Sequence, residues 1–270
     1  MRRILQAALG SVTLLFPFAM QAQRPLAERI RALGTRTIAF SARARAETCG
    51  DGLTSYSDGL TGSMTRYYDG YTIINHEPWE GRNIGPCEKG PVRVTVRVVE
   101  GQLSWLRVYV GPLVALGDTI TDLGAVSTTE ARAFLEPVVL AADGRAALEG
   151  MMPFVMIDSL PRWSVLERVA RDSSHMSKYR RRAADLLARG AASTISAEPG
   201  VDEDVRSARR EAVYALARQQ PGTASIVTDM IAIASTNPHR DARVAALYQL
   251  GQSSDVRGIE LFASMLRGKP

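Results

Sequence analysis

The sequence predicts an α+β protein: a small, disulfide-closed, β-rich N-terminal domain over residues 23–125, then an all-α domain of stacked helical repeats over residues 126–270. Three observations predict it. The pattern Arg-x-x-Ala-x-x-x-Leu occurs three times, at Arg180/Ala183/Leu187, Arg209/Ala212/Leu216 and Arg243/Ala246/Leu250, with starts 29 and 34 residues apart. A period of that size marks paired helices that bury their apolar faces only by stacking on neighbours. Upstream the period is two: Val92, Val94, Val96 and Val98 alternate with polar residues, as a half-buried strand requires. The chain's two cysteines, Cys49 and Cys87, both lie in that β-rich part.

The chain opens with Arg2 and Arg3, an uncharged apolar run from Ile4 to Met20, and the small Ala22 before Gln23. A basic start, an apolar middle and a small-residue end make residues 1–22 an expected secretory signal peptide. The alternative is an uncleaved anchor, for which this run is marginal against a hydrocarbon core of ~30 Å. The mature chain is then expected in the periplasm or outside the cell, with no membrane span. In that oxidising setting a lone pair of cysteines forms a disulfide. A metal site at Cys49 and Cys87 is the lesser alternative, because no nearby His or Cys completes it. Losing Arg2 and Arg3 lowers the net charge from +5 to +3, too weak an excess to argue for nucleic acid.

Leu26, Ile30 and Leu33 share one face of a short helix over residues 25–33, and residues 37–44 alternate as a strand. After Val98, a Glu100-Gly101 turn leads to Leu103, Trp105, Arg107 and Tyr109, which completes a β-hairpin. Residues 48–91 read as a long loop with eight glycines and the aromatics Tyr56, Tyr67, Tyr68, Tyr71 and Trp79. A loop of that length in a compact domain is functional or poorly ordered, and the disulfide at its ends favours order.

From Val126 the period becomes helical. Ser127-x-x-Glu130 is a capping box, and Ala131, Phe134, Leu135, Val138 and Val139 form the apolar face that follows. Pro137 and Pro153 are expected to kink or break their helices. A fainter repeat starts at Arg145, with Leu148 and Met152 in its apolar slots. In each full copy the small Ala admits a close neighbour and the Leu four residues on fills the layer between repeats. Second helices carry Ile226, Met230 and Ile233, and Ile259, Phe262 and Leu266. Residues 190–203 leave room only for a vestigial one.

Residues 180–189, residues 209–218 and the run Asp241-Ala-Arg243-Val-Ala-Ala-Leu-Tyr-Gln-Leu-Gly251 resemble the first helix of HEAT repeats, and Ser253-Ser-Asp255 resembles their inter-helix turn. The resemblance covers about residues 145–267, and the order of leader, Cys-Gly-Asp-Gly segment, hairpin and short array resembles exported bacterial HEAT-repeat proteins. It implies a HEAT-like α-solenoid that binds another protein, with Ala183, Leu187, Ala212, Leu216, Ala246 and Leu250 in the repeat core.

No catalytic constellation, cofactor motif or metal-ligand set stands out, so the expected function is non-enzymatic. His76, His175 and His239 have no partners at useful spacing. Asp51 and Asp58 each precede a glycine, a turn signal before it is a cation loop. The aromatic residues Tyr67, Tyr68, Tyr71 and Trp79 either recognise a partner or pack their own domain. Arg181 and Arg210 stand for a basic stripe that could meet a protein or an anionic polymer, while the repeat-slot arginines are expected to bond turns. The alternative to a scaffold is an enzyme or carbohydrate-binding site in the 48–91 loop using Asp51, Asp58, His76 or Glu77.

Overall fold

The alternating valines and the Glu100-Gly101 turn form the hairpin at the centre of the β-rich half. Both turn residues have positive φ, 51° and 77°, the twist that suits a two-residue hairpin loop. A computed structural model describes residues 24–53, 55–57, 64–68, 71–75, 87–115, 117–219 and 223–267. In chain order these form α1 (Leu26–Ala32), β1 (Arg36–Ala42), β2 (Cys49–Gly50), β3 (Ser55–Ser57), β4 (Met64–Tyr68), β5 (Tyr71–Asn75), β6 (Val92–Val99), β7 (Gln102–Val110) and β8 (Ile120–Ala125), then the helices α2 (Thr128–Ala141), α3 (Gly144–Met156), α4 (Arg162–Arg171), α5 (Ser177–Ser193), α6 (Glu203–Gln219), α7 (Ala224–Thr236), α8 (Arg240–Ser253) and α9 (Val256–Leu266).

One sheet has the order β7-β6-β1-β8, with β8 parallel to β1 and the other pairs antiparallel. Its edge at β8 is blunted: Gly124 sits at a positive φ of 74°, and Arg29 of α1 donates to the Leu123 carbonyl. The face carrying Ile38, Phe40, Val94, Val96, Leu106 and Val108 is fully buried. Helices α2 and α3 cover it: Phe40 meets Phe134 of α2 edge to face at 5.7 Å, and the Leu106 amide donates to Glu149 of α3. A second sheet, β2-β3-β4-β5, occupies part of the stretch read from sequence as a loop. Its first strand carries Cys49, which is disulfide-bonded to Cys87 with Cα atoms 5.1 Å apart.

The core does not stop at residue 126. Helix α3 is buried from Gly150 to Met156 on every side, between the sheet and the helices that follow. The apolar cluster continues without a break from Leu26 to Leu266. Pro137 and Pro153, expected to kink or break helices, both lie inside continuous ones. The burial of α3 offsets the roughly 3 kcal/mol that an interior proline costs.

Among the later helices, α5 packs on α8, α4 on α9, and both α6 and α7 rest on α8. The stacking order therefore differs from the chain order, since α5 meets α8 rather than α6. Ala183, Leu187, Ala246 and Leu250 are buried as the repeat pattern requires. Ala212 is a correction: it is exposed and Leu216 is half-buried, while Val213 and Ala217 take the buried positions of α6. Because α6 contacts the body mainly through α8, its buried stripe is narrow and turned one residue from the repeat register. The second helices over Ile226, Met230 and Phe262 form as expected, and Asp255 caps α9 by accepting from the Arg257 amide.

Gly251 sets the approach of α8 to α5: a Cβ there would lie 2.9 Å from the Ala188 Cβ and 3.2 Å from the Asp185 Cα. Gly251→Val is expected to destabilise the protein by about 1–3 kcal/mol in urea denaturation, because no side chain at the contact can move aside. Joint replacement of Cys49 and Cys87 by serine is expected to cost up to about 4 kcal/mol by the same measurement, the loop-closure value for their separation.

Candidate functional site

Several arginines of the helical half place their guanidinium groups on its own backbone and carboxylates. Arg206 donates to the carbonyls of Glu198 and Val201, and Arg243 to that of Ala234. Arg209 reaches the Glu198 carboxylate at 3.3 Å and lies 4.0 Å from the buried Asp241. Arg182 and Arg189 share Asp185, and Arg210 pairs with Glu203 at 2.6 Å. Of the two arginines singled out as a stripe, Arg210 is thus held in an ion pair, while Arg181 is exposed on α5.

Glu198 stands in for a missing side-chain cap. The residue before α8, His239, makes no capping bond, and the Arg240 amide donates instead to Glu198 from across the fold. Burial pushes the Glu198 carboxyl up, but the Arg240 amide, Arg209 and His239 outweigh it and hold the group below the ordinary glutamate range. That carboxylate joins the 194–199 segment, α6 and α8.

A groove of about 310 Å³ runs between α4 and α9, with Trp163, Leu187, Ala263 and Leu266 as its apolar lining and Glu167, Arg171, Glu260 and Arg267 as its charged lining. Local sequence builds it. Pro161 precedes the first turn of α4, which fixes the approach of the chain and brings Trp163 over Gly190 of α5. A Cβ on Gly190 would lie 2.4 Å from the indole, so only glycine admits the ring there. Arg162 stacks on the same indole at 4.3 Å while donating to Glu47 and to the Val155 carbonyl. The indole Nε1 of Trp163 is buried and has no acceptor among the described residues. Arg171 bridges Glu167 on its own helix and Glu260 on α9, closing one side of the groove.

The aromatic segment is partly placed. Tyr67 and Tyr68 lie on β4 and Tyr71 on β5, with Tyr68 opposite Tyr71 and Tyr67 opposite Thr72. Trp79 lies outside the described residues, as do Asp58, His76 and Glu77. Asp51 Oδ1 accepts from the Leu53 amide two residues on, the turn bond that Asp-Gly predicts. Among the described residues no three His, Cys, Asp or Glu side chains converge as a metal site would need. Nor is any helix among them long and apolar enough to cross a membrane.

The arrangement offers binding through a shaped groove that Trp163 helps to line. Sequence reading missed Trp163, whose position opposite Gly190 depends on two helices meeting. No family model, curated protein or solved structure matches the chain.

The lowered Glu198 pKa carries a pH signature. Its stabilisation is fully present above the pKa of an unfolded glutamate, about 4.3, and is lost as pH falls through the lower folded value. Thermal melts from pH 7 down to pH 3 are expected to show a smaller acid-induced loss of stability in Glu198→Gln than in the wild type.

Proposed function

We propose that the protein is a non-enzymatic, exported scaffold that binds another protein through its HEAT-like helical half, with the α4–α9 groove as the contact. The carrying observation is the α4–α9 groove itself, whose lining sets Trp163, Leu187, Ala263 and Leu266 beside the charged Glu167, Arg171, Glu260 and Arg267. The occupant is a peptide segment of the partner, placing one apolar side chain against Trp163, Leu187, Ala263 and Leu266. The groove's size suits such an anchor rather than a whole helix.

Layering supports the solenoid reading: α5 and α8 form one layer, α4 and α9 the next, and the buried Ala183 and Ala246 permit close stacking. The disulfide and the absence of a spanning helix among the described residues fit a periplasmic or extracellular location. The expected signal peptide, residues 1–22, lies outside the described residues.

Ala263→Glu plants a charge among the apolar lining while leaving the helix intact. Peptides selected from a displayed library on the disulfide-bonded wild type are expected to bind this variant about 30-fold or more weakly, the loss of one anchor contact of about 2 kcal/mol. Arg181→Glu, away from the groove, is expected to leave their affinity unchanged. Equal binding to wild type and Ala263→Glu contradicts the assignment.

A further inference from the structure

A second cleft, of about 460 Å³, lies between the 194–199 segment and the start of α8, lined by Ser196, Ala197, Glu198, Pro238, Arg240 and Arg243 among others. Its two guanidinium groups are held in place before any ligand arrives. Arg243 Nε donates to the Ala234 carbonyl at 2.9 Å, and Arg240 Nε to the Ile195 carbonyl at 3.4 Å. In each case Nε is fastened, which leaves both Nη groups of Arg243 and the Nη2 of Arg240. The Nη groups of Arg243 meet no acceptor among the described residues, and Arg240 Nη1 forms an ion pair with Asp241 at 3.8 Å.

Glu198 is the one carboxylate among the lining residues, and its oxygens face Arg209 and the Arg240 amide. The lining therefore has an excess of cation. A guanidinium fixed at Nε presents two parallel N–H bonds, the match for two oxygens of one carboxylate or phosphate. The exposed Ser196 hydroxyl offers a further donor at the rim.

We propose that this cleft binds a small oxyanion, a carboxylate or a phosphate group, between Arg240 and Arg243. The site shares no residue with the α4–α9 groove and stands or falls apart from it. Turn-binding by the repeat-slot arginine and ligand-binding are compatible, since they use different edges of Arg243.

The test is an amide NMR titration of the disulfide-bonded protein at low ionic strength, with inorganic phosphate in one arm and succinate in the other. Saturable shifts at residues 196–198 and 240–243 are expected in at least one arm, and the arm that saturates identifies the oxyanion. Ala197→Glu, an exposed position on the cleft wall, supplies an internal carboxylate and is expected to weaken that binding about tenfold or more. Arg243→Gln is expected to abolish it; should that variant unfold, Ala197→Glu alone decides. No saturation in either arm, or equal affinity in wild type and Ala197→Glu, overturns the proposal.

Discussion

The rest of the structure depends on a buried guanidinium. Arg45 leaves the β-rich half and donates to the carbonyls of Val155 and Leu160, at the end of α3 and just beyond it. The last carbonyls of a helix have no partners within it and carry its partial negative charge, so a cation there meets both needs. Burial pushes the Arg45 guanidinium below its ordinary pKa, and Glu47 and Asp158 act in the other direction. The chain on either side of it reinforces the junction: Ala44 bridges Ile157, the Asp158 amide donates to the Arg43 carbonyl, and Arg43 pairs with Asp158. At the other end of α3, the fully buried Tyr179 of α5 donates its hydroxyl to the Gly144 carbonyl. From Gly150 to Met156 the helix has no solvent face to give up. α3 therefore joins the sheet to the helices as a shared core element rather than a linker.

Helix α8 repeats that role further along the chain. It receives α5 through the bare surface at Gly251 and supports α6 and α7 on its remaining faces. Arginines close the gaps that such irregular stacking leaves at helix ends: Arg206 and Arg240 bond carbonyls of the 194–201 segment, and Arg243 bonds the Ala234 carbonyl near the end of α7. This explains the structural bonds made by the arginines around residues 194–243. It also explains where surface chemistry remains: at the α4–α9 seam, and where anchored guanidiniums keep spare donors.

Features set by neighbours in sequence were legible. The hairpin turn, the capping box of Ser127 and Glu130, the α1 stripe of Leu26 and Ile30, and the pairing of Cys49 with Cys87 all follow from local chemistry or from simple counting. Features set by distant contacts were not. β8 pairs with β1 across most of the β-rich half, and its Gly124 interrupts the alternation that would have marked it. The α6 register slipped by one residue because Ala212 and Val213 are both apolar, and only α8 decides which turns inward. Trp163 lacked a signal for the same reason: its partner Gly190 is on another helix, and a lone Trp near a helix start has no periodic company.

Native-state hydrogen exchange along the whole chain tests the single shared core most directly. The account predicts that amides of β1, β6, α3, α5 and α8 exchange only through one common opening, with the same free energy and the same denaturant dependence. Exchange of the β1 and β6 amides through a separate, lower-energy opening, with α5 and α8 still protected, would contradict it.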